Sequence, residues 1–170
     1  MADSIRPEIT VELLREIGLF GGLSEDSLER LRAALPVIQA QPGETLVSED
    51  EVSAEMFVVI SGELEVVKRA PDGGQVRVAM LGPSDWFGEM SVLDVQPRSA
   101  SVRCLAPSLL LSMTPEHAEQ LLYRLDVKDY ALFVMNIARE LSRRLRVADG
   151  ILAQFFVAMH EQYGRSPSQR

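Results

Sequence analysis

The sequence predicts a mainly β protein: a β-roll of the double-stranded β-helix or jelly-roll kind, with helices before it and one long helix after it. Between residues 41 and 113, short β-rich runs alternate with Gly and Pro breaks, the punctuation of a sandwich or barrel. No run in that interval is long enough for a crossover helix, which disfavours a parallel α/β sheet. Helical periodicity occurs only on either side of it. The 170 residues are 46% apolar and 25% charged, enough for one core and suited in length to one domain.

The elements follow in order. Residues 9–17 place Ile9, Leu13, Leu14 and Ile17 at helical spacing, and Gly18 stops the run. Ser24 caps a second helix with Leu28, Leu31 and Leu35 on one face, which Pro36 ends. Strands are expected over 45–48, 55–61, 63–69, 75–81, 99–105 and 108–113. Pro71-Asp72-Gly73-Gly74 is a hairpin signal. Val76, Val78 and Met80 share one face of the strand that follows. Thr114 caps a helix with Pro115 at its first position. A long helix then runs from after Asp126 to about Tyr163. Along it Leu141, Leu145, Ala148, Leu152, Phe155, Met159 and Gln162 are spaced alternately four and three apart, a heptad seam that predicts a homodimer. Gly150 lies inside this helix, and residues 164–170 read as a frayed tail. The organisation is therefore a helical segment 1–36, a β-roll core 37–114, and C-terminal helices with a tail 115–170, one domain overall.

Composition excludes several functions. The net charge of −8 makes blanket binding to nucleic acid or an anionic membrane a poor fit. From residue 139 onward six arginines face only Glu140, Asp149 and Glu161. The cluster 139–146 reads as a solvated helix face, with DNA contact the minority alternative. One cysteine, Cys104, rules out an internal disulfide or a cysteine zinc cluster, and reads as a small buried strand residue. His117 and His160 are too few for a histidine-rich metal centre and read as ordinary helix residues. Residues 1–7 are polar with no apolar signal core, and no apolar run approaches a membrane span. A cytoplasmic chain without membrane partner, metal or cofactor is expected. There is no Gly-x-Ser-x-Gly elbow, P-loop or His-Glu-x-x-His, so no enzyme is expected.

The segment that carries chemistry spans residues 87–100. Gly88 permits a turn that brings amides close to a ligand. Residues 89–93 suit one helical turn, whose free N–H groups favour an anion. Arg98 adds a forked cation nine residues after Glu89. A carboxylate and an arginine near free amides suit a ligand with hydroxyl and phosphate groups; by themselves, the two also fit a surface ion pair.

This stretch resembles the phosphate-binding cassette of the cyclic-nucleotide-binding domain, the module of bacterial catabolite activators, cyclic-nucleotide-dependent kinases and cyclic-nucleotide-gated channels. Phe87-Gly88-Glu89, apolar Met90, small Ser91, apolar Val92 and Leu93, a loop, then Arg98-Ser99-Ala100 meet every position of its pattern. Pro42-Gly43-Glu44-Thr45-Leu46, the run from Phe57 through Gly62 to Leu64, Asp72-Gly73 and Gly82-Pro83 match the family's motifs outside the cassette. The likeness covers roughly residues 18–149 and is closest to the effector domain of the catabolite activator protein, without its DNA-binding domain. The residues after Met159 are too few for the winged helix that follows in that group.

The resemblance implies a ligand-binding set: Gly88, Glu89, Met90, Arg98, Ser99, Ala100 and Asp149. Glu89 would accept from the ribose 2′-hydroxyl and Arg98 would pair with the cyclic phosphate. Gly88 and Ala100 would offer amides, and Ser99 a hydroxyl. Val78, Met80 and Leu81 either border the sugar and base or are ordinary core. Where the catabolite activator reads adenine with a Thr-Ser pair, this sequence has Ala148 and Asp149. Asp149 either accepts from a purine amino group or points to solvent. Ser99 is compatible with cAMP, whereas cGMP-selective members often carry Thr there. Two further departures are Glu49-Asp50 in place of the usual Gly before the second strand, and no aromatic near Ala118. The expectation is a stand-alone regulatory protein that binds cAMP rather than cGMP, with its C-terminal helix closing over the base to alter the surface seen by an unknown downstream protein. The alternative is a nucleotide-independent dimerisation or interaction module with a relic cassette.

Overall fold

The computed structural model describes residues 9–94 and 96–163, with side chains to residue 160. The polar start 1–7, Val95 of the cassette loop and the tail 164–170 lie outside the described residues, as does the side chain of Gln162. Helices α1 (Val11–Glu16) and α2 (Glu25–Ala34), joined through a 3-10 turn at Gly18–Phe20, precede eight strands. These are β1 (Val37–Ala40), β2 (Thr45–Val47), β3 (Met56–Ser61), β4 (Leu64–Arg69), β5 (Gln75–Leu81), β6 (Trp86–Phe87), β7 (Ser101–Cys104) and β8 (Ser108–Met113). A short helix α3 (Met90–Leu93) interrupts them, and α4 (Pro115–Ala118), a π-helical turn (Glu119–Tyr123) and α5 (Val127–Tyr163) follow.

The strands form two antiparallel sheets ordered β1-β8-β3-β6 and β2-β7-β4-β5. β3 and β8 are apolar on both faces because each face meets a different core. Met56, Val58, Leu109, Leu111 and Met113 pack outward against the helices, beneath Leu14, Phe20, Leu28, Leu31, Phe133 and Ile137. Phe57, Val59 and Leu110 point inward, against Val47, Leu64, Phe87, Val102 and Cys104 of the roll interior. Each such side chain contributes about 1.5–3 kcal/mol by leaving water. Between β3 and β4 the chain turns at Gly62 with φ +105°, where an added Cβ would lie 2.6 Å from the Ser108 Cα; only glycine fits both conditions.

Local signals act where they were read. Ser24 accepts from the Ser27 amide to cap α2. Thr114 and His117 form a reciprocal capping box with Pro115 at the first position of α4. Two strands, β1 and β6, and the π-helical turn have no clear sequence signal. A register shift between Val66 and Val67 disturbs the alternation expected along β5, whose residues Gln75 to Met80 are all exposed. Among the described residues no helix is long and apolar enough to cross a membrane.

Two buried polar residues fix the start of α5 against the N-terminal helices. The Asp129 carboxylate accepts from the Ser24 amide at 2.9 Å and its hydroxyl at 2.5 Å. The Asn136 amide nitrogen donates to the carbonyls of Leu19 and Gly21 at 3.1 and 2.9 Å, satisfying the turn that leads into α2. Burial opposes ionisation of Asp129, but hydrogen bonds from the Ser24 and Ser27 hydroxyls and the Ser24 amide outweigh it and hold the carboxyl below its ordinary 3.8. A carboxyl lowered by folding stabilises the native state above its unfolded value, and that stabilisation fades as acid protonates the native carboxylate. Asp129→Asn is therefore expected to cost about 1.5–3 kcal/mol in urea unfolding at pH 7. The gap between variant and wild type should close progressively below about pH 4. A gap that persists unchanged into acid would show that shape, and not charge, is what Asp129 contributes.

Candidate functional site

The site begins with a strand pairing. β6 lies against β3, with Phe57 opposite Phe87 and Val58 opposite Trp86. The rings of Phe57 and Phe87 stack with centroids 5.1 Å apart. This delivers the chain to Gly88, whose φ is +80°. A Cβ there would stand 2.5 Å from Arg98 Nη1 and 2.7 Å from the Glu55 carbonyl oxygen, so a guanidinium and a backbone carbonyl occupy the space a side chain would need. α3 follows at once, and its Ser91 and Val92 amides donate to the Gly88 and Glu89 carbonyls at 3.1 Å each.

Arg98 is only 5% exposed. Its backbone is held from both sides, by Asp50 N–H donating to its carbonyl and by its own N–H donating to Glu51. Its guanidinium donates from Nη1 to the Gly88 carbonyl at 3.5 Å and to Ser91 Oγ at 3.2 Å. Nη2 donates to Ser53 Oγ at 3.2 Å and to the Glu55 carbonyl. Nε is buried and has no acceptor among the described residues. Burial pushes this arginine below its ordinary range, while the charges of Glu51, Glu55 and Glu89 act to hold it up.

Glu89 is 3% exposed and takes a hydrogen bond at 3.0 Å from Arg144 Nη1 of α5. The same guanidinium donates from Nη2 to the Trp86 carbonyl at 2.9 Å and from Nε to Glu140 at 2.8 Å. Glu140 also accepts twice from Arg143. Hydrogen bonds from Arg143, then Arg144, hold the Glu140 carboxyl below the usual range against the effect of its burial. Of the basic cluster, Arg139, Arg143 and Arg144 are thus engaged within the fold. Cys104, by contrast, is a buried strand residue whose thiol is pushed up by burial.

These groups surround a cavity of about 620 Å³ between the β2-β7-β4-β5 sheet, the cassette and α5. Gly88, Glu89, Met90, Arg98, Ser99 and Ala100 all line it. Asp149 does not: it is exposed on α5, one residue beyond Ala148, which does line the cavity. Met80 and Leu81 are on the wall, with Ala79 in place of Val78. The heptad seam divides as well. Leu141, Leu145 and Ala148 border the cavity, Leu145 while still 62% exposed, and Leu152, Phe155 and Met159 lie beyond it, exposed at 53%, 58% and 39%. Sequence pattern does not reveal Arg144, Ser53 or Glu55, because their roles depend on partners 43 to 58 residues away. A buried cation at one end, a buried carboxylate in the middle and an apolar remainder suit a ligand with an anionic, a hydroxylated and a flat apolar part.

Comparison with known proteins agrees with this geometry. The sequence model of the cyclic nucleotide-binding domain matches residues 37–124. A CRP-like cAMP-activated global transcriptional regulator of Mycobacterium tuberculosis is 30% identical over 84% of this chain and 61% of its own length. The catabolite activator protein of Thermus thermophilus superposes with a TM-score of 0.72 at 30% identity, covering 81% of this chain and 62% of that one. A cyclic nucleotide-binding domain from Methylobacillus flagellatus gives a TM-score of 0.74 at 27% identity, over 85% and 81% of the two chains. The chain thus spans about six-tenths of the length of the two regulators.

The cradle at Gly88 has a direct test. Gly88→Ala is expected to lose about 1–3 kcal/mol from backbone strain alone, and more from displacing Arg98. Gly43→Ala is the control: φ there is +84°, but nothing lies within 4 Å of the new Cβ. Urea unfolding should place Gly88→Ala clearly below Gly43→Ala. Equal losses would mean that the guanidinium moves aside without cost.

Proposed function

The chain belongs to the cyclic nucleotide-binding domain family, and from that premise we propose that it is a regulatory protein, not an enzyme, that binds a 3′,5′-cyclic nucleotide, with cAMP rather than cGMP as its working ligand. The observation that carries this reading is Arg98, buried beside the cavity with four acceptors fixing its two Nη atoms and none for Nε among the described residues. A guanidinium held this way, at the turn that opens α3, suits an anion of single charge and needs no metal. The cyclic phosphate pairs with Arg98, with help from the Gly88 and Ala100 amides and the Ser99 hydroxyl. Met90 forms part of the wall, and Asp149 is left to solvent. The names of the mycobacterial regulator and of the Thermus cyclic AMP receptor protein favour cAMP.

Glu89 links occupancy to α5. Its Oε1 takes Arg144, and Oε2 has no partner among the described residues, which leaves it for the ribose 2′-hydroxyl. A ligand on this carboxylate strengthens or loosens the grip on Arg144, and with it the placement of α5 over the base. Only a difference in affinity between the two placements can transmit the signal. Beyond Arg144 the exposed Leu152, Phe155 and Met159 are the surface to be altered. We propose that they meet a second copy in a homodimer. The same exposed face also favours the rival reading, a constitutive dimerisation module with a relic cassette.

Calorimetric titration of nucleotide-stripped protein separates the two. Wild type is expected to bind cAMP with micromolar or tighter affinity. Arg98→Ala should weaken it by about a hundredfold, the value of hydrogen bonds to a charged group, the loss being read on protein that circular dichroism shows to be folded, and Arg98→Lys, which keeps the charge, should lose less. Tight binding by Arg98→Ala would overturn the pocket assignment, and no binding of cAMP or cGMP by wild type would move the relic module to the front. For the dimer, Phe155→Glu should shift sedimentation from two copies to one. An unchanged sedimentation coefficient would exclude this face.

A further inference from the structure

We infer that the pocket reads the ribose and the phosphate but leaves the edge of the base unread, so that purine 3′,5′-cyclic nucleotides bind with closely similar affinity; the inference rests on the binding function proposed above. The sheet side of the slot is one row of small apolar side chains. Val47 is opposite Val102, Val102 opposite Val66, and Val66 opposite Ala79, so the row crosses all four strands β2, β7, β4 and β5 in register. All four line the cavity. The helix side is equally plain, with Leu141, Leu145 and Ala148 one and two turns apart on the face of α5 turned to the slot.

The polar groups that also line the cavity belong to its other parts. Arg143 and Arg144 are bound to Glu140, and Arg144 also to Glu89 and the Trp86 carbonyl. The Asp85 carboxylate accepts from the Gly82 amide at 2.9 Å. The remaining polar liners are cassette residues at the phosphate end. Past Leu145 the wall offers only Ala148, since Asp149 is rotated about 100° further round the helix and is absent from the lining.

A flat ring between these two walls is held by burial and dispersion, which are nearly equal for adenine, guanine and hypoxanthine. Those bases differ in the groups on their edges. The row runs from buried Val47 and Val102 to exposed Ala79, and Ala148 opposite is exposed too. The outer edge of a ring on it stays in water, so its amino and carbonyl groups are neither paired nor stripped of solvent. Strong discrimination arises where a site's own buried donors and acceptors are left unpaired by the wrong ligand. This slot has none along the row.

The test is calorimetric titration of the full, nucleotide-stripped chain with cAMP, cGMP, cyclic 3′,5′-inosine monophosphate and the 2′-deoxy analogue of cAMP. The three ribonucleotides should agree within about tenfold, the range a purely apolar pocket gives. The 2′-deoxy analogue should fall by more than any exchange of base. A wider spread among bound purines, or a 2′-deoxy effect smaller than the base effect, would overturn the inference while leaving nucleotide binding intact. Absence of binding by all four would remove the proposed function and this inference with it.

Discussion

A guanidinium as deeply buried as that of Arg98 keeps its charge only where oxygen atoms surround it, and the elements around it are arranged to supply them. Four oxygens come from three separate segments: Ser53 and the Glu55 carbonyl before β3, the Gly88 carbonyl after β6, and Ser91 in α3. None of these segments is held by its neighbours in sequence alone. The loop at 50–51 is tied to the Arg98 backbone, and β6 exists as a two-residue strand only through β3. The cation therefore acts as a structural centre before any ligand arrives. Its cost in desolvation is offset by partners on one side, and the unsatisfied Nε remains for the other.

The long helix serves two different ends of the molecule. Its first turns are fixed by Asp129 and Asn136, which satisfy the backbone around α2. Phe133 and Ile137 lie fully in the core on the same stretch. Further along, its only polar hold on the roll among the described residues is Arg144, which reaches Glu89 and the Trp86 carbonyl while also paired with Glu140 of the same helix. Beyond that, its apolar side chains lie exposed. Holding strength thus falls along the helix, from buried core to a single ion-pair network to nothing within one copy. In an element graded in this way, any change at the middle contact would be felt at its far end, because the near end cannot yield.

The roll was legible in the sequence because its strands are separated by residues with local physical reasons to turn. Gly62 must be glycine for space and conformation alike, and the cap at Thr114 is a short-range device complete within four residues. The cassette was legible for the same reason, since Gly88, Glu89 and Arg98 lie within eleven residues. What depends on distant partners was not. β1 follows Pro36 with only Val37, Ile38, Gln39 and Ala40, and becomes a strand by pairing with β8. Arg144 reads as one more solvated arginine until Glu89, fifty-five residues earlier, comes under it. The heptad seam is legible as a period, but a period cannot say which of its apolar residues also border the chain's own cavity, as Leu141, Leu145 and Ala148 do.

For an acidic chain to hold an anion, it must do so by contacts at short range. With a net charge of −8, the field of the whole molecule opposes a phosphate, but salt screens that field over about 8 Å at physiological strength. Inside the cavity the order reverses. Arg98, Arg143 and Arg144 line it together with Glu89, Glu140, Asp85 and Asp94, and the pairing is uneven. Glu140 is spent on two arginines and Glu89 on one. Arg98 is hydrogen-bonded, among the described residues, only to neutral oxygens of backbone and serine. Of these three guanidiniums, the one without a carboxylate hydrogen bond is also the one most removed from water. Low dielectric strengthens whatever charge pairs with it, so position within the cavity, and not the net charge of the chain, would decide where an anion is held.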